Sequence, residues 1–208
     1  MNKIGLFPLG IVLFPGSSYP LYIFEERYKK LINECWEDQK SFGITLLTPK
    51  KMSSIGCMTF VTDIMNIKSN GNLEILVTGK NRFKINNIID GEQPYLVGEV
   101  EQYEDLDKEI DENLLYETIE LYNEIAMKVK NFKIPQIEID SIGTYPLPSF
   151  FIAQKSGLSL VEKQELLEMR SENSRLKKLK THLQVLSPLI EKAEGIETLS
   201  RNDGYLTL

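Results

Sequence analysis

The sequence predicts an α+β protein, with an N-terminal antiparallel β pseudo-barrel that contains one inserted helix and a C-terminal α-helical bundle. Residues 1–105 hold short apolar runs separated by Gly, Pro and Asn turns, which is the pattern of strands. Residues 106–208 place apolar side chains every three or four positions, which is the period of a helix. We therefore predict two subdomains, 1–105 rich in β-structure and 106–208 helical.

The β-rich part contains one strong turn signal. Asn70-Gly71 is typical of a hairpin, because both central positions of a type I′ turn need a positive φ. The alternating segment 73–78 follows this turn, and Gly79 separates it from a second alternating segment, 82–85. Several short strands joined by turns favour a closed or half-closed antiparallel barrel.

One helix is predicted to interrupt these strands. Its apolar residues follow the spacing of a single helical face, namely Phe24, Tyr28, Leu31, Ile32, Cys35 and Trp36. Glu25 and Glu26 lie in its first turn, where a carboxylate favours the helix dipole.

The C-terminal part carries its own helix signals. Ser159 and Glu162 have the spacing of a capping box. Ser171 is predicted to begin a longer helix, which Pro188 should kink or restart. The leucines of this helix favour the inner face of a bundle over a dimer seam. They are Leu176, Leu179, Leu183 and Leu186.

The composition restricts the function and the location. A net charge of −6 and a pI of about 5.1 disfavour a role on nucleic acid, where Lys and Arg supply most of the affinity. Cys35 and Cys57 match no metal or redox spacing, so we predict free, buried thiols in a reducing cytosol. The apolar N-terminus is broken by Pro and Gly and lacks a signal peptide's features, and no apolar run approaches the ~20 residues of a membrane span. These observations predict a cytoplasmic protein.

The sequence lacks the common motifs of catalysis. It has no phosphate-binding loop, no nucleophile elbow, no H-E-x-x-H motif and no C-x-x-C pair. The single histidine, His182, is predicted to be a surface residue of a helix, and the acidic stretch 104–112 to be a solvated face. We therefore predict that the chain is not an enzyme and has no catalytic residues, cofactor or metal site.

Four collinear segments resemble a known family. They are LFPLGIVLFPGSSYPLYIFEERYKKLI (6–32), the β-rich segment that begins at Gly56-Cys57, LEILVTGKNRFKI (73–85) and LPSFFIAQKSGLSLVEKQELLEMRSENSRLKKL (147–179). In order and approximate spacing they are similar to the N-terminal, substrate-binding domain family of Lon protease. The resemblance covers nearly the whole chain.

This resemblance implies a PUA-like pseudo-barrel followed by a helical bundle, and a non-catalytic module that binds polypeptides. In Lon proteases the unit precedes an ATPase and a Ser-Lys protease domain, neither of which these 208 residues contain. We therefore expect a free-standing module that binds without unfolding or cleavage. Its expected partners are unfolded polypeptides or one dedicated protein, without nucleic acid or membrane, and weak self-association is left open. The alternative is a small-molecule or nucleic-acid sensor on a PUA-like barrel.

The motif residues are predicted to determine the fold rather than to bind a ligand. They are Phe14, Pro15, Gly16, Phe24, Glu25, Arg27, Tyr28, Gly79, Arg82 and Phe83. The Phe14-Pro15-Gly16 turn should end a strand, because Pro presets φ and Gly accepts a positive φ. Phe24 is expected to staple the helix, and Arg27 to form a partly buried pair with Glu25 or Glu26. For Arg82 we expect a cross-strand ion pair or stack rather than an anion site.

Polypeptide binding requires exposed apolar surface. The segment 141–151, SIGTYPLPSFF, is dense in apolar side chains and lies between two helical regions. We predict Tyr145, Leu147, Pro148 and Phe150 as candidate polypeptide contacts. The alternative is that this segment packs under the barrel and joins the two parts. The other candidate surface is the cleft between the barrel and the helices, and exposed sheet edges could also add a strand of substrate.

Overall fold

The computed structural model describes residues 2–89, 91, 93–107, 109–129, 134–138, 142, 145 and 147–202, with the backbone alone for 193–202. The chain forms two compact units. The first comprises Met1–Leu106 and Leu158–Arg170, and the second Asp107–Gly157 and Ser171–Leu208. The predicted subdomain boundary after residue 105 lies beside the first of these divisions, whereas 158–170 returns to the β-rich unit.

Six strands are present in the described part of the first unit, and they form one mixed sheet. They are β1 (Asn2–Leu9), β2 (Ser18–Ile23), β3 (Phe42–Leu47), β4 (Met52–Ile67), β5 (Leu73–Ile89) and β6 (Leu96–Gln102). Their order is β2-β5-β4-β3-β1-β6, and β5 also pairs with β6. This last pairing closes five strands into a ring, with β2 outside it, so the predicted pseudo-barrel is confirmed.

Five helices are present in the described residues. They are α1 (Glu26–Glu37), α2 (Glu112–Lys128), α3 (Pro148–Gln154), α4 (Leu160–Glu168) and α5 (Glu172–Asn202). The predicted inserted helix is α1, and the predicted helical C-terminal region is confirmed. Of the helices described, none combines the length and the apolar character that crossing a membrane requires.

One strand pair departs from the predicted antiparallel barrel. β1 and β3 run parallel, from Leu6 opposite Gly43 to Leu9 opposite Leu46. A parallel pair needs a long crossover, and here β2 and α1 supply it. β3 and the Phe83 side chain of β5 pack closely inside the ring. A Cβ added to Gly43 would lie 2.6 Å from the Phe83 ring.

α1 contributes much of the core of the first unit. The Tyr28 ring stacks on Phe7 of β1, with their centroids 4.0 Å apart. Leu31 and Ile32 are fully buried in the same cluster. Burial of each such side chain stabilises the fold by about 2 kcal/mol, which explains why the apolar spacing of α1 is so regular.

α5 provides the core face of the second unit. Leu176, Leu179 and Leu183 are buried, and α5 packs against α2, where Ile119 is also buried. These leucines therefore form the inner face of a bundle, as predicted, and are not available as a dimer seam. The helix does not restart at Pro188, because α5 continues as a helix through this residue; the alternative, a kink there, stays a prediction.

A buried polar cluster connects α3 and α5. The Glu172 carboxylate accepts the backbone N–H of Ser149 at 2.6 Å and its hydroxyl at 2.7 Å. Arg175 pairs with Glu172 and also donates from Nε to the Ser149 hydroxyl at 2.8 Å. Both charged side chains, Glu172 and Arg175, are fully buried. Removal of either one would leave the charge of the other buried and uncompensated.

Candidate functional site

β2 is an edge strand, so only one side of its backbone pairs with another described strand. Among the strands described, it pairs with β5 alone. The Gly79 amide donates to the carbonyl of Ser17 at 2.9 Å, immediately before the strand. Because hydrogen-bonding positions alternate in an antiparallel pair, the amides of Tyr19, Leu21 and Ile23 face β5. The backbone groups of the alternate residues of β2 therefore face outward.

The outward-facing backbone groups belong to Ser18, Pro20 and Tyr22. Ser18 and Tyr22 each offer one N–H and one C=O to a further strand. Pro20 offers only its carbonyl, since it has no N–H. At an outward-facing position, the missing N–H does not interrupt the hydrogen bonds between β2 and β5.

Three exposed aromatic side chains accompany this edge. Tyr19 is 43% exposed, Tyr22 51% and Phe24 60%. The rings of Tyr22 and Phe24 lie 6.2 Å apart between centroids, and the Tyr22 hydroxyl accepts a hydrogen bond from Asn72 Nδ2 at 2.7 Å. We call Tyr19, Tyr22 and Phe24, together with the outward backbone of β2, the β2 aromatic edge.

The staple role predicted for Phe24 is wrong. Phe24 precedes Glu25, the N-cap of α1, so its staple partner would be the fourth residue of the helix, Lys29. Lys29 instead forms an ion pair with Glu26 at 2.8 Å. The ring of Phe24 is therefore mostly exposed, and it lies beside the ring of Tyr22.

β4 carries a second open edge, and its pairing with β5 is less regular than that of β2. Pairing of β3 with β4 ends at Phe42 opposite Thr59, so the second half of β4 pairs only with β5 among the described strands. This half exposes Met65 and Ile67. Its register with β5 shifts twice, whereas β2 pairs with β5 without a shift over all six residues. Bulges impede the addition of a strand, so β2 offers the better template.

The charge beside the edge is compensated. Glu74 of β5 lies directly opposite Tyr22 and pairs with Lys68 at 2.8 Å. Hydrogen bonds from Lys68 and Asn66 lower the pKa of the Glu74 carboxyl, so it is ionised at neutral pH. The ammonium of Lys68 compensates its charge, and an uncharged segment can approach Tyr22 without meeting an isolated carboxylate.

The contacts predicted in segment 141–151 are only partly accessible. Phe150 and Pro148 are buried, and Phe150 lies under the guanidinium of Arg175 at 4.4 Å. Tyr145 and Leu147 are half-buried, and the Tyr145 ring packs against Phe151 at 4.7 Å. Residues 141, 143, 144 and 146 of the segment lie outside the described part of the chain. Phe150 thus serves the core of the second unit.

The turn motif before β2 lies against Gly79 of β5. Phe14 is buried, and Gly16 adopts a φ of +78°, where only glycine is unstrained. A Cβ on Gly79 would lie 2.4 Å from the carbonyl oxygen of Phe14 and 2.8 Å from Cys57 Sγ. The turn passes over β5 at Gly79, because a side chain at this position would clash with the backbone of Phe14. This contact fixes the turn from which β2 begins.

The other motif residues of α1 have mixed environments. Tyr28 is buried, and burial raises its pKa, which the neighbouring guanidinium of Arg27 opposes. Arg27 donates from Nε to Glu25 at 2.9 Å, so the predicted pair is present. Because both side chains are about half exposed, this pair contributes little to stability.

Arg82 holds α4 on the β-rich unit. Its guanidinium forms a buried ion pair with Asp105, and it donates to the carbonyl oxygen of Leu167 at 2.9 Å and to that of Met169 at 2.5 Å. It also lies 5.3 Å from the centroid of the Tyr103 ring. Arg82 thus forms an ion pair and a cation–π contact, but with residues that follow β6 rather than across the strands as expected. Sequence reasoning missed the α4 partners, since they lie 85 and 87 residues away.

The single histidine lies against a backbone carbonyl, and the two cysteines are buried. His182 is half-buried rather than on the open surface, with Nε2 2.7 Å from the carbonyl oxygen of Ser156. Burial raises the pKa of the Cys35 thiol to about 11 and that of Cys57 to about 12, so both are protonated at neutral pH. In the residues that the structure describes, no cluster of three or more His, Cys, Asp or Glu is placed to hold a metal ion.

Solved structures define the class of this fold. One is a Lon N-terminal domain protein from Xanthomonas campestris, with a TM-score of 0.67 and 24% identity over 86% of this chain and 97% of that one. Another is the N-terminal domain of the Lon protease of the Mycobacterium avium complex, with a TM-score of 0.70 and 17% identity over 88% and 98%. The fold is therefore that of a Lon N-terminal domain.

The sequence comparisons identify the family. The Lon protease of Cytophaga hutchinsonii is 25% identical over 76% of this chain and 21% of its own length. Lon protease 1 of Hydrogenovibrio crunogenus is 26% identical over 90% of this chain and 24% of its own length. This chain thus spans about a quarter of these relatives. The family model of the ATP-dependent protease La (LON) substrate-binding domain matches residues 3–185, and the chain belongs to this family.

Proposed function

We propose that this protein binds unfolded polypeptides without cutting them, and that an extended segment of the bound chain adds to the outer edge of β2. The observation that supports this most strongly is the β2 aromatic edge, where a regular, open strand carries exposed rings. Membership of a substrate-binding family supports the same role.

Strand addition explains why an unfolded chain would be preferred. The outward N–H and C=O groups of Ser18 and Tyr22 can pair only with a backbone that is not already paired, and a folded protein offers few of these. Tyr19, Tyr22 and Phe24 would then contact apolar side chains of the bound segment, which a folded protein keeps inside. Backbone pairing carries no sequence information, so the proposed specificity is for extended apolar segments.

We further propose that the bound chain stays intact. A peptidase needs a nucleophile beside an activating base. The only histidine, His182, lies against a backbone carbonyl, and both cysteines are buried and protonated. A cytoplasmic location belongs to the same proposal, since reduced, buried thiols are typical of that compartment.

The test is fluorescence anisotropy of a labelled, permanently unfolded protein titrated with this chain. We expect saturable binding in the micromolar range and a tenfold or greater loss of affinity in the double variant Tyr22→Ser/Phe24→Ser. Tyr116→Ser is the matched control, because Tyr116 of α2 is 43% exposed, which is close to the 51% of Tyr22. We expect its affinity to stay within twofold of the unaltered protein.

Three results would contradict the proposal. Equal binding by the double variant and by the unaltered protein would exclude the β2 aromatic edge as the binding surface. Fragments of the labelled chain on a gel of the same samples would show that the protein cuts what it binds. Absence of any binding at high micromolar concentration would exclude general recognition of unfolded chains in favour of one dedicated partner.

Tyr145 and Leu147 remain our second proposed contact surface. Both are half-buried, whereas the other two residues predicted with them, Pro148 and Phe150, are buried. The variant Tyr145→Ser in the same titration tests this surface. A loss of affinity there, with none for Tyr22→Ser/Phe24→Ser, would move the site to the second unit.

A further inference from the structure

The second unit contains an apolar cavity between α2 and α5. Its volume is about 220 Å³. Tyr122, Ile125 and Ala126 line it from α2, and Leu183 and Leu186 line it from α5. The residues that line it belong to the second unit. An unfilled cavity of this kind costs stability, because its lining side chains lose their packing partners.

A single cationic side chain lies among the lining residues. Lys155 follows α3, and its ammonium lies 5.2 Å from the centroid of the Phe151 ring. No ion pair of Lys155 with a carboxylate is found among the residues that the structure describes. By contrast, Lys128 of α2 pairs with Glu191 at 2.6 Å, and Lys180 of α5 pairs with Glu117 at 2.7 Å. Lys155 is therefore the cation of this region that can receive an anionic group from outside.

We propose that this cavity binds a small monocarboxylate, whose hydrocarbon part fills the cavity and whose carboxylate meets Lys155. Apolar walls with one charged group at a fixed position are typical of small-molecule sites. At the packing density of a protein interior, the cavity would take roughly 160 Å³ of ligand, which corresponds to about ten heavy atoms. Octanoate has this size and chemistry and is the probe we choose.

The contributions of the ligand's hydrocarbon part and of its carboxylate to binding can be tested separately. We expect octanoate to bind the full chain one to one with a Kd of about 1 mM or tighter in isothermal titration calorimetry, which is ordinary for a ligand of ten heavy atoms. Ala126→Leu fills the cavity from α2 and should weaken binding at least tenfold. Lys155→Gln should weaken octanoate two- to fivefold and leave octan-1-ol unchanged, because an exposed ion pair contributes modestly.

Controls make the test decisive. Acetate carries the same carboxylate without the apolar body and should not bind at these concentrations. Circular dichroism establishes that Ala126→Leu keeps its helices; if it does not, Leu186→Phe fills the same cavity from α5. No binding of octanoate, or equal binding by the filled variant, would overturn the proposal. So would an equal effect of Lys155→Gln on octanoate and octan-1-ol, since the carboxylate would then not be recognised.

Discussion

Arg82 and Asp105 form an ion pair that is almost completely withdrawn from solvent, with only 2% and 6% of their side chains exposed. The same guanidinium donates to two backbone carbonyls at the end of α4. One arginine on β5 thus joins the chain after β6 to a helix that follows much later in sequence. This explains why α4 belongs to the β-rich unit although its sequence is flanked by helices of the second unit.

We expect loss of this pair to destabilise the protein strongly. Arg82→Met leaves the buried Asp105 carboxylate without its partner, and the free energy of unfolding should fall by about 3–5 kcal/mol in urea denaturation. Lys84→Met is the matched control on the same strand, because the Lys84–Glu101 pair is about half exposed. It should cost about 1 kcal/mol or less. Equal effects of the two variants would contradict the structural role of Arg82.

Gly79 should tolerate no side chain. A Cβ there would lie 2.4 Å from a backbone oxygen of Phe14, and a backbone atom cannot move aside as a flexible side chain can. We expect Gly79→Ala to lower the stability by about 1–3 kcal/mol or more. At Gly10 nothing lies within 4 Å of an added Cβ, so Gly10→Ala should change stability by less than about 0.5 kcal/mol. Thermal unfolding of the two variants measures the difference, and similar melting temperatures would refute this interpretation of the turn.

Stability should decline above pH 9, partly through Cys57. Burial raises the pKa of this thiol from 9.0 to about 12. Below pH 9 the thiol is neutral in the folded and in the unfolded chain, so it adds no pH dependence. Between pH 9 and 12 it ionises only in the unfolded chain, which removes about 1.4 kcal/mol of stability per pH unit. Cys35 acts in the same direction, because its pKa is also raised, to about 11.

Urea unfolding at pH 8 and pH 10.5 measures this decline. The variant Cys57→Ala should show a smaller loss between the two pH values than the unaltered protein, whatever its absolute stability. An identical loss in both proteins would mean that Cys57 does not contribute to the alkaline destabilisation.

The outward amide of Tyr22 provides a sharper test of strand addition than its ring does. Tyr22→Ser and Tyr22→Pro both remove the aromatic ring, but only the proline removes the outward N–H. We expect Tyr22→Pro to bind an unfolded polypeptide about fivefold more weakly than Tyr22→Ser, which corresponds to one hydrogen bond of about 1 kcal/mol. Its stability should stay close to that of Tyr22→Ser, since this amide does not face β5. Indistinguishable affinities would show that the backbone of β2 does not take part in binding.

Local signals in the sequence were sufficient for much of the fold. The apolar face of α1 placed that helix between two strands, and the helix indeed spans Glu26–Glu37. The capping box at Ser159 is present with both of its hydrogen bonds, because its two partners are only three residues apart. Each of these features depends on neighbours in the sequence, so residue type and spacing were enough to predict them.

Features that depend on distant partners were not predictable in the same way. To predict the parallel pairing of β1 with β3, one would need to know how the chain crosses between them through β2 and α1. The return of α4 to the first unit depends on Arg82, whose carbonyl partners carry no recognisable side-chain signal. Phe24 was expected to staple α1, because an aromatic residue before a helix often does so, and only the exposure of its ring showed otherwise.

The most direct measurement of the proposed function is hydrogen exchange of the backbone amides of Ser18 and Tyr22, read by NMR with and without a saturating unfolded polypeptide. In the free protein both amides face away from β5 and should exchange rapidly. We expect the bound polypeptide to slow the exchange of both at least tenfold while the amides of α2 are unaffected. Unchanged exchange of Ser18 and Tyr22 at saturation, or protection confined to the second unit, would contradict binding by strand addition to β2.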